Sequence, residues 1–171
     1  MITISLNQIL AHDPCHDGWY TVKLAKGHLD YDAQWPLVDA IASNDLEDCV
    51  WAFQCLPQYT ALWTKLAVWA FVQRHPELPD EAVLVLRTAW DYSSGRATMA
   101  ELMEARTRAW NTAKTTIDTS EWNIYRAAAR VASRAMLDHG EWLIHGPGVE
   151  ALVRECLAEG AWVGEIPEQL V

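Results

Sequence analysis

Apolar residues recur at steps of three and four along most of this chain, the period of an α-helix with one buried face. Tyr59, Leu62, Trp63, Leu66, Trp69 and Ala70 form one wide stripe, and Leu46, Val50 and Phe53 form another just before it. Pro57 separates the two, so the pattern predicts consecutive helices packed as an antiparallel pair, with neighbours covering both. Helix starts and stops punctuate the rest. Ser5 with Gln8 reads as a capping box opening a short first helix that stops before Pro14. A second helix is expected from about Asp17 to Lys26, closed by Gly27, and Pro36 fits the first position of a third, PLVDAIAS. Asn44 with Glu47 opens a fourth, stopped by Pro57, and a fifth covers Gln58 to His75. Pro79 and Asp80 open a sixth that reaches Gly95, and Thr98 with Glu101 caps a seventh that reaches Thr115. An eighth runs from Ser120 to His139, and a last, VEALVRECLAEG, ends at Gly160.

Strand signals are nearly absent, since no Asn-Gly or Asp-Gly turn joins alternating runs. ITI near the start could be extended, but no partner strand is evident for it. The expectation is an all-α fold of about seven to nine helices in one domain, packed as antiparallel hairpins. Within it, residues 1–43 hold the N-terminal helices, 44–140 the helical core, and 141–171 a last helix and tail.

Composition narrows the class. The 171 residues are 51% hydrophobic and 21% charged, as in an ordinary folded domain. The stretch DCVWAFQCLPQYTALWTKLAVWAF holds three of the ten tryptophans and both phenylalanines, yet Gln54, Pro57, Gln58, Thr60, Thr64 and Lys65 interrupt it. It falls short of the roughly 18 apolar residues of a membrane span, so helical core is the reading and no membrane role is expected. No secretory signal opens the chain, and Cys15, Cys49, Cys55 and Cys156 are too scattered for a disulfide scaffold. A cytoplasmic protein with reduced thiols is expected.

The formal net charge of −10 argues against direct nucleic-acid binding, which depends on Lys and Arg. The charge is also uneven. Residues 27 to 64 carry Asp30, Asp32, Asp39, Asp45, Glu47 and Asp48 with no Lys or Arg. Residues 135 to 171 carry seven acids, Glu150, Glu155 and Glu159 among them, against Arg154 alone. Residues 87 to 134 instead hold eight basic and five acidic residues. One reading pairs the basic helices with the acidic ones across a solvated surface. The sharper one is an acidic face that competes for a partner's basic surface. Arg126, Arg130 and Arg134, at steps of four on an Ala-rich helix, suit either an anion or intramolecular acids.

Candidate chemistry is sparse. HDPCH gathers His12, Cys15 and His16 beside Asp13 and Asp17, atom types zinc accepts, with His28 the nearest further ligand. Pro14 breaks any helical spacing there and no second pair follows, so an inter-helix loop is the plainer account. Cys49 and Cys55 are six apart, on different faces of one helix, and read as buried thiols. Asp138, His139, Glu141 and His145 could form an acid–base group, although HGPG is equally good turn chemistry. No phosphate loop, HExxH, nucleophile elbow or CxxC occurs. Neither a cofactor nor catalysis is expected.

From about residue 44 to 140, LAVWAFVQRHPELPDEAVLVLRTAWDYSSGRATMAELMEARTRAW followed by IYRAAARVASRAM resembles the alanine-rich, all-helical family of immunity proteins (the Imm5-like group), with relatives in bacteriophages. Pro79, Asp80, Trp90, Gly95, Glu101, Glu104, Ala105 and Arg106 hold the places the family shares. The run of charges usual at the Pro-Asp break is thinned here to ELPDEAVLVLR. The resemblance carries over no catalytic residue. It implies neutralisation of another protein, as a toxin immunity factor or a phage counter-defence factor. The expectation is therefore a non-enzymatic inhibitor of a basic, nucleic-acid-processing effector, such as a toxin nuclease or a CRISPR-type defence complex. Its acidic face would be joined by Trp35, Trp142 and Trp162 as aromatic anchors. A self-associating module is the competing expectation, with Trp162, Val163, Ile166, Leu170 and Val171 as an apolar tail that docks on its own core or on a second copy in a homodimer. A metal-dependent enzyme using HDPCH is the third.

Overall fold

Short capped helices, longer Ala-rich helices and one small strand pair make up the chain. The computed structural model describes residues 1–116, 119–131 and 148–171. Nine α-helices and a single two-stranded sheet occur among the described residues, so the fold is all-α as the periodicity predicts. The single domain expected from length is organised as two compact units, each built from separate stretches of chain.

The first unit comprises Met1–Thr60 and Pro147–Val163. Its helices are α1 (Leu6–Leu10), α2 (His16–Lys26), α3 (Ala40–Ser43), α4 (Leu46–Trp51) and, later in the chain, α9 (Val149–Glu159). The Ser5 capping box forms as expected, the hydroxyl accepting from the Gln8 N–H while the Gln8 side chain accepts from the Ser5 N–H. ITI does find a partner. Thr3–Ile4 (β1) pairs antiparallel with Trp35–Pro36 (β2), setting Ile4 opposite Trp35 and Thr3 opposite Pro36. Pro36 therefore ends a strand instead of starting a helix, and a 3-10 turn, Leu37–Asp39, intervenes before α3. A two-residue edge strand tolerates proline, and the pairing buries both Trp35 and Ile4. The Ile2 N–H donates to the Leu157 carbonyl at 2.8 Å, and the Leu37 N–H donates to the Ile2 carbonyl at 3.0 Å. Ile2, Ile4, Leu6, Leu37 and Leu157 are all fully buried around this seam. Each such side chain contributes about 1.5–3 kcal/mol of burial. Asp45, not Asn44, caps α4, accepting from the Asp48 N–H at 2.8 Å. Asn44 instead donates to the Gly18 carbonyl and to Asp48.

The second unit comprises Ala61–Gly146 and Gly164–Val171. Among its described residues are most of α5 (Thr60–Arg74), then α6 (Asp80–Ser93), α7 (Met99–Thr115) and α8 (Thr119–Val131). α5, α6 and α7 begin and end close to where the sequence signals put them, and α8 begins there, while its expected end at His139 lies outside the described residues. Thr98 and Glu101 form the predicted capping box, and Gly95, at φ 71°, turns the chain between α6 and α7. The helices α6, α7 and α8 pack on one another, with Ala82, Ala89, Ala105, Ala109, Ala113 and Ala128 buried along the contacts. Small side chains let helix backbones close up and keep the interior dense. On α5, Leu62, Trp63, Leu66, Ala67, Val68, Ala70, Phe71 and Val72 are buried, most of its circumference instead of a stripe. The core reading of that aromatic stretch holds. Near the chain end, the 3-10 turn Glu168–Leu170 lies on α6 with Leu170 buried, and Arg87 donates to the Val171 main-chain oxygen at 2.7 Å.

Candidate functional site

The acids of residues 27 to 64 and three of the later stretch, Glu150, Glu155 and Glu159, fall in the first unit. It carries eleven carboxylates against Lys23, Lys26 and Arg154, a formal charge of −8, whereas the second unit carries twelve acids and ten bases. On α9, Val149, Val153, Cys156 and Leu157 face inward, which leaves Glu150, Arg154, Glu155 and Glu159 on the exposed face. The seam through Ile2 ties this helix to the segment that follows β2. The acidic loop before β2 is held on α1. Asn7 donates its main-chain N–H to the Tyr31 carbonyl and its side-chain amide to Asp32 at 2.7 Å, while Asp30 accepts from the Asp32 N–H. Gln34 also donates to Gln8 at 3.2 Å. Asp30 and Asp32 are therefore exposed carboxylates on an anchored backbone.

The acids divide by their partners. Asp39 pairs with Lys26 at 2.9 Å and Glu150 with Arg154 at 2.8 Å, so the plain intramolecular reading applies to these two. Asp30, Asp32, Asp45, Asp48, Glu155 and Glu159 have no Lys or Arg ion-pair partner among the described residues. Asp45 is exposed and Asp48 half-buried, its carboxylate against Gly18, where an added Cβ would lie 3.0 Å from it. Glu47 lies in α4, and its side chain is outside the described set. In the second unit Arg96 pairs with Asp91 at 2.7 Å and Arg108 with Glu81 at 2.9 Å. Arg126 lies over Trp110 at 5.4 Å, while the Arg130 side chain and Arg134 fall outside the described set.

The aromatic anchors need correction. Trp35 is only 3% exposed, because strand pairing turns its ring into the core, where the Lys26 ammonium lies 5.0 Å from the ring centre. Trp35 is a core residue and cannot anchor a partner. Trp162 is half-buried, and Trp142 lies outside the described residues together with Asp138, His139, Glu141 and His145. The exposed apolar groups of this unit's helices are instead Leu10, Tyr20 and Leu24. The latter two stand four apart on α2, opposite the buried Val22. That spacing was readable in the sequence. Which face of α2 turned inward was not, because its apolar residues do not gather on one side.

The HDPCH cluster is pulled apart by its turn. Asp13 adopts a left-handed φ of 49°, a conformation aspartate tolerates, and the chain reverses there. His12 turns back to the Gln8 carbonyl at 3.0 Å, the Cys15 sulfur caps α2 by accepting from the Gly18 N–H, and His16 contacts Asp17 at 3.1 Å. Among the described residues, no three His, Cys, Asp or Glu side chains gather to hold a metal ion. Cys49 and Cys55 are buried, and burial pushes both thiols up to about 12. Such thiols are poor nucleophiles.

No family profile, curated protein or solved structure matches the chain. No helix among the described residues is long and apolar enough to cross a membrane.

Proposed function

We propose that this chain is a non-enzymatic inhibitor of the immunity type, which binds a basic, nucleic-acid-processing effector protein through the acidic face of its first unit. One observation carries the reading: carboxylates from two distant stretches share a unit of formal charge −8, and most of them lack an internal cation among the described residues. Fixed carboxylates on short, pinned elements can occupy a basic surface that otherwise holds phosphates. Steering by that charge raises the association rate and weakens with salt. The resemblance of residues 44 to 140 to immunity proteins supports the inhibitory role, whether against a toxin nuclease or as phage counter-defence against a CRISPR-type complex.

The test is capture of partners by tagged chain from nuclease-treated host lysate, at low and high salt. The captured protein's nucleic-acid binding is then measured with and without the chain. A salt-sensitive partner that loses nucleic acid is the expected result. A variant with Asp30→Asn, Asp32→Asn, Glu155→Gln and Glu159→Gln should lose the capture while keeping its fold. A partner captured equally by that variant would refute the acidic face.

A second reading has its own support. Val163, Ile166 and Val171 are exposed, by 38%, 44% and 80%, which suits self-association. A mass that rises with protein concentration would favour it.

A further inference from the structure

On α2, His16, Tyr20 and Leu24 follow at steps of four along the side opposite Val22, and all three stand in solvent. Tyr20 is 58% and Leu24 70% exposed. The His16 and Tyr20 rings are parallel, their planes within 1° and their centres 6.5 Å apart. Beside them the Asp17 carboxylate, fully exposed, contacts His16 Nδ1 at 3.1 Å. Two flat faces, an adjacent carboxylate and an apolar residue one turn further on suit one protein side chain in particular. Guanidinium is planar, cationic and carries in-plane donors, and its stem is aliphatic; an ammonium lacks the flat face. A nucleobase is also flat, but its phosphates would meet a unit of charge −8.

We propose that the His16–Tyr20 face of α2 receives an arginine from the basic partner protein. Its guanidinium stacks on the exposed Tyr20 ring beside His16 and pairs with Asp17, and Leu24 covers its stem. This rests on the reading of the first unit as an acidic face, to which it adds the residue type recognised.

The test titrates the full chain with a short Arg-Ser repeat peptide and its Lys-Ser counterpart at low and high salt. The Arg peptide should bind about two- to fivefold tighter, the scale of an exposed cation–π contact. Tyr20→Ala should abolish that preference with the melting midpoint unchanged, and Tyr20→Phe should keep it. His16→Ala, at a side chain 91% exposed, gives a second variant free of folding effects and should reduce the preference as well. Equal, salt-sensitive affinity for both peptides, or a preference that survives Tyr20→Ala, overturns the arginine site and leaves the acidic face standing. Absence of salt-sensitive binding to either peptide overturns the acidic face, and the site with it.

Discussion

The two units solve the folding problem differently. The second is made of long helices, 13 to 17 described residues from α5 through α8, and the ends of α6 and α7 are fixed by their own neighbours in sequence. The helices of the first run from 4 to 11 residues, too short to persist alone in water. They depend on backbone bonds between remote segments, such as Asn7 to Tyr31 and Ile2 to Leu157. Charge follows the same division. Acids and bases nearly balance in the second unit, while the first gathers surplus carboxylates on its pinned loops and on α9. Local signals suffice to build a scaffold, and the charged surface is assembled by the non-local contacts.

Core truncations have the largest expected effects and test whether both halves rely equally on packing. Phe71→Ala in α5 removes a fully buried ring and should lower stability by about 3–5 kcal/mol. Leu157→Ala, under the Ile2 seam, should cost about 2–5 kcal/mol. Urea midpoints measure both. A small effect at Leu157 would mean that the seam contributes little to the first unit.

Alkaline pH sharpens the contrast through the buried thiols. Cys49 and Cys55 ionise near 12 in the folded chain against an ordinary 9.0, so between those values the unfolded chain has lost protons that the folded one retains. Stability from this source is complete below pH 9.0 and is lost as pH rises toward 12, by about 1 kcal/mol per pH unit for each thiol. Replacing both by Ala should flatten the pH dependence of the urea midpoint in that window. A thiol reagent at neutral pH should modify Cys15 quickly, while Cys49, Cys55 and Cys156 react only as the chain opens.

Smaller effects come from the helix caps and the surface. Thr98→Ala, at the start of α7, should cost about 1 kcal/mol in the urea midpoint. Hydrogen bonds from the Thr98 main-chain N–H and hydroxyl hold the Glu101 carboxyl below its ordinary range, so this cap weakens as acid protonates Glu101. Glu155→Gln with Glu159→Gln should shift stability by less than about 0.5 kcal/mol, as expected for exposed sites. A larger loss there would show that α9 uses these carboxylates for folding, leaving them less free for a partner.

The same contrast explains what could be read in advance. Thr98, Glu101, Gly95, Pro79 and Gly160 mark helix ends through bonds to residues three or four away, and a local signal of that kind is visible in sequence. Trp35 was misread because its burial follows from Ile4, thirty-one residues earlier, and nothing near Trp35 announces that strand. Pro36 failed for the same reason. The acidic stretches were evident as composition, yet Glu150, Glu155 and Glu159 join the early acids in one unit through non-local contacts such as that of Ile2 with Leu157. Tyr20 and Leu24 went unnoticed because nothing in the sequence of α2 showed which side its neighbours would cover.

The Ile2 seam also sets a schedule. A growing chain can wind α6 and α7 as soon as each is made, but residue 2 waits for residue 157 before the first unit can close. Contacts of such separation form late and slowly. During that wait the surplus acids of the early segment lie on an open, self-repelling chain, which discourages premature collapse and pairing with other nascent chains. The charge proposed to meet a basic partner would then also protect the unfinished chain.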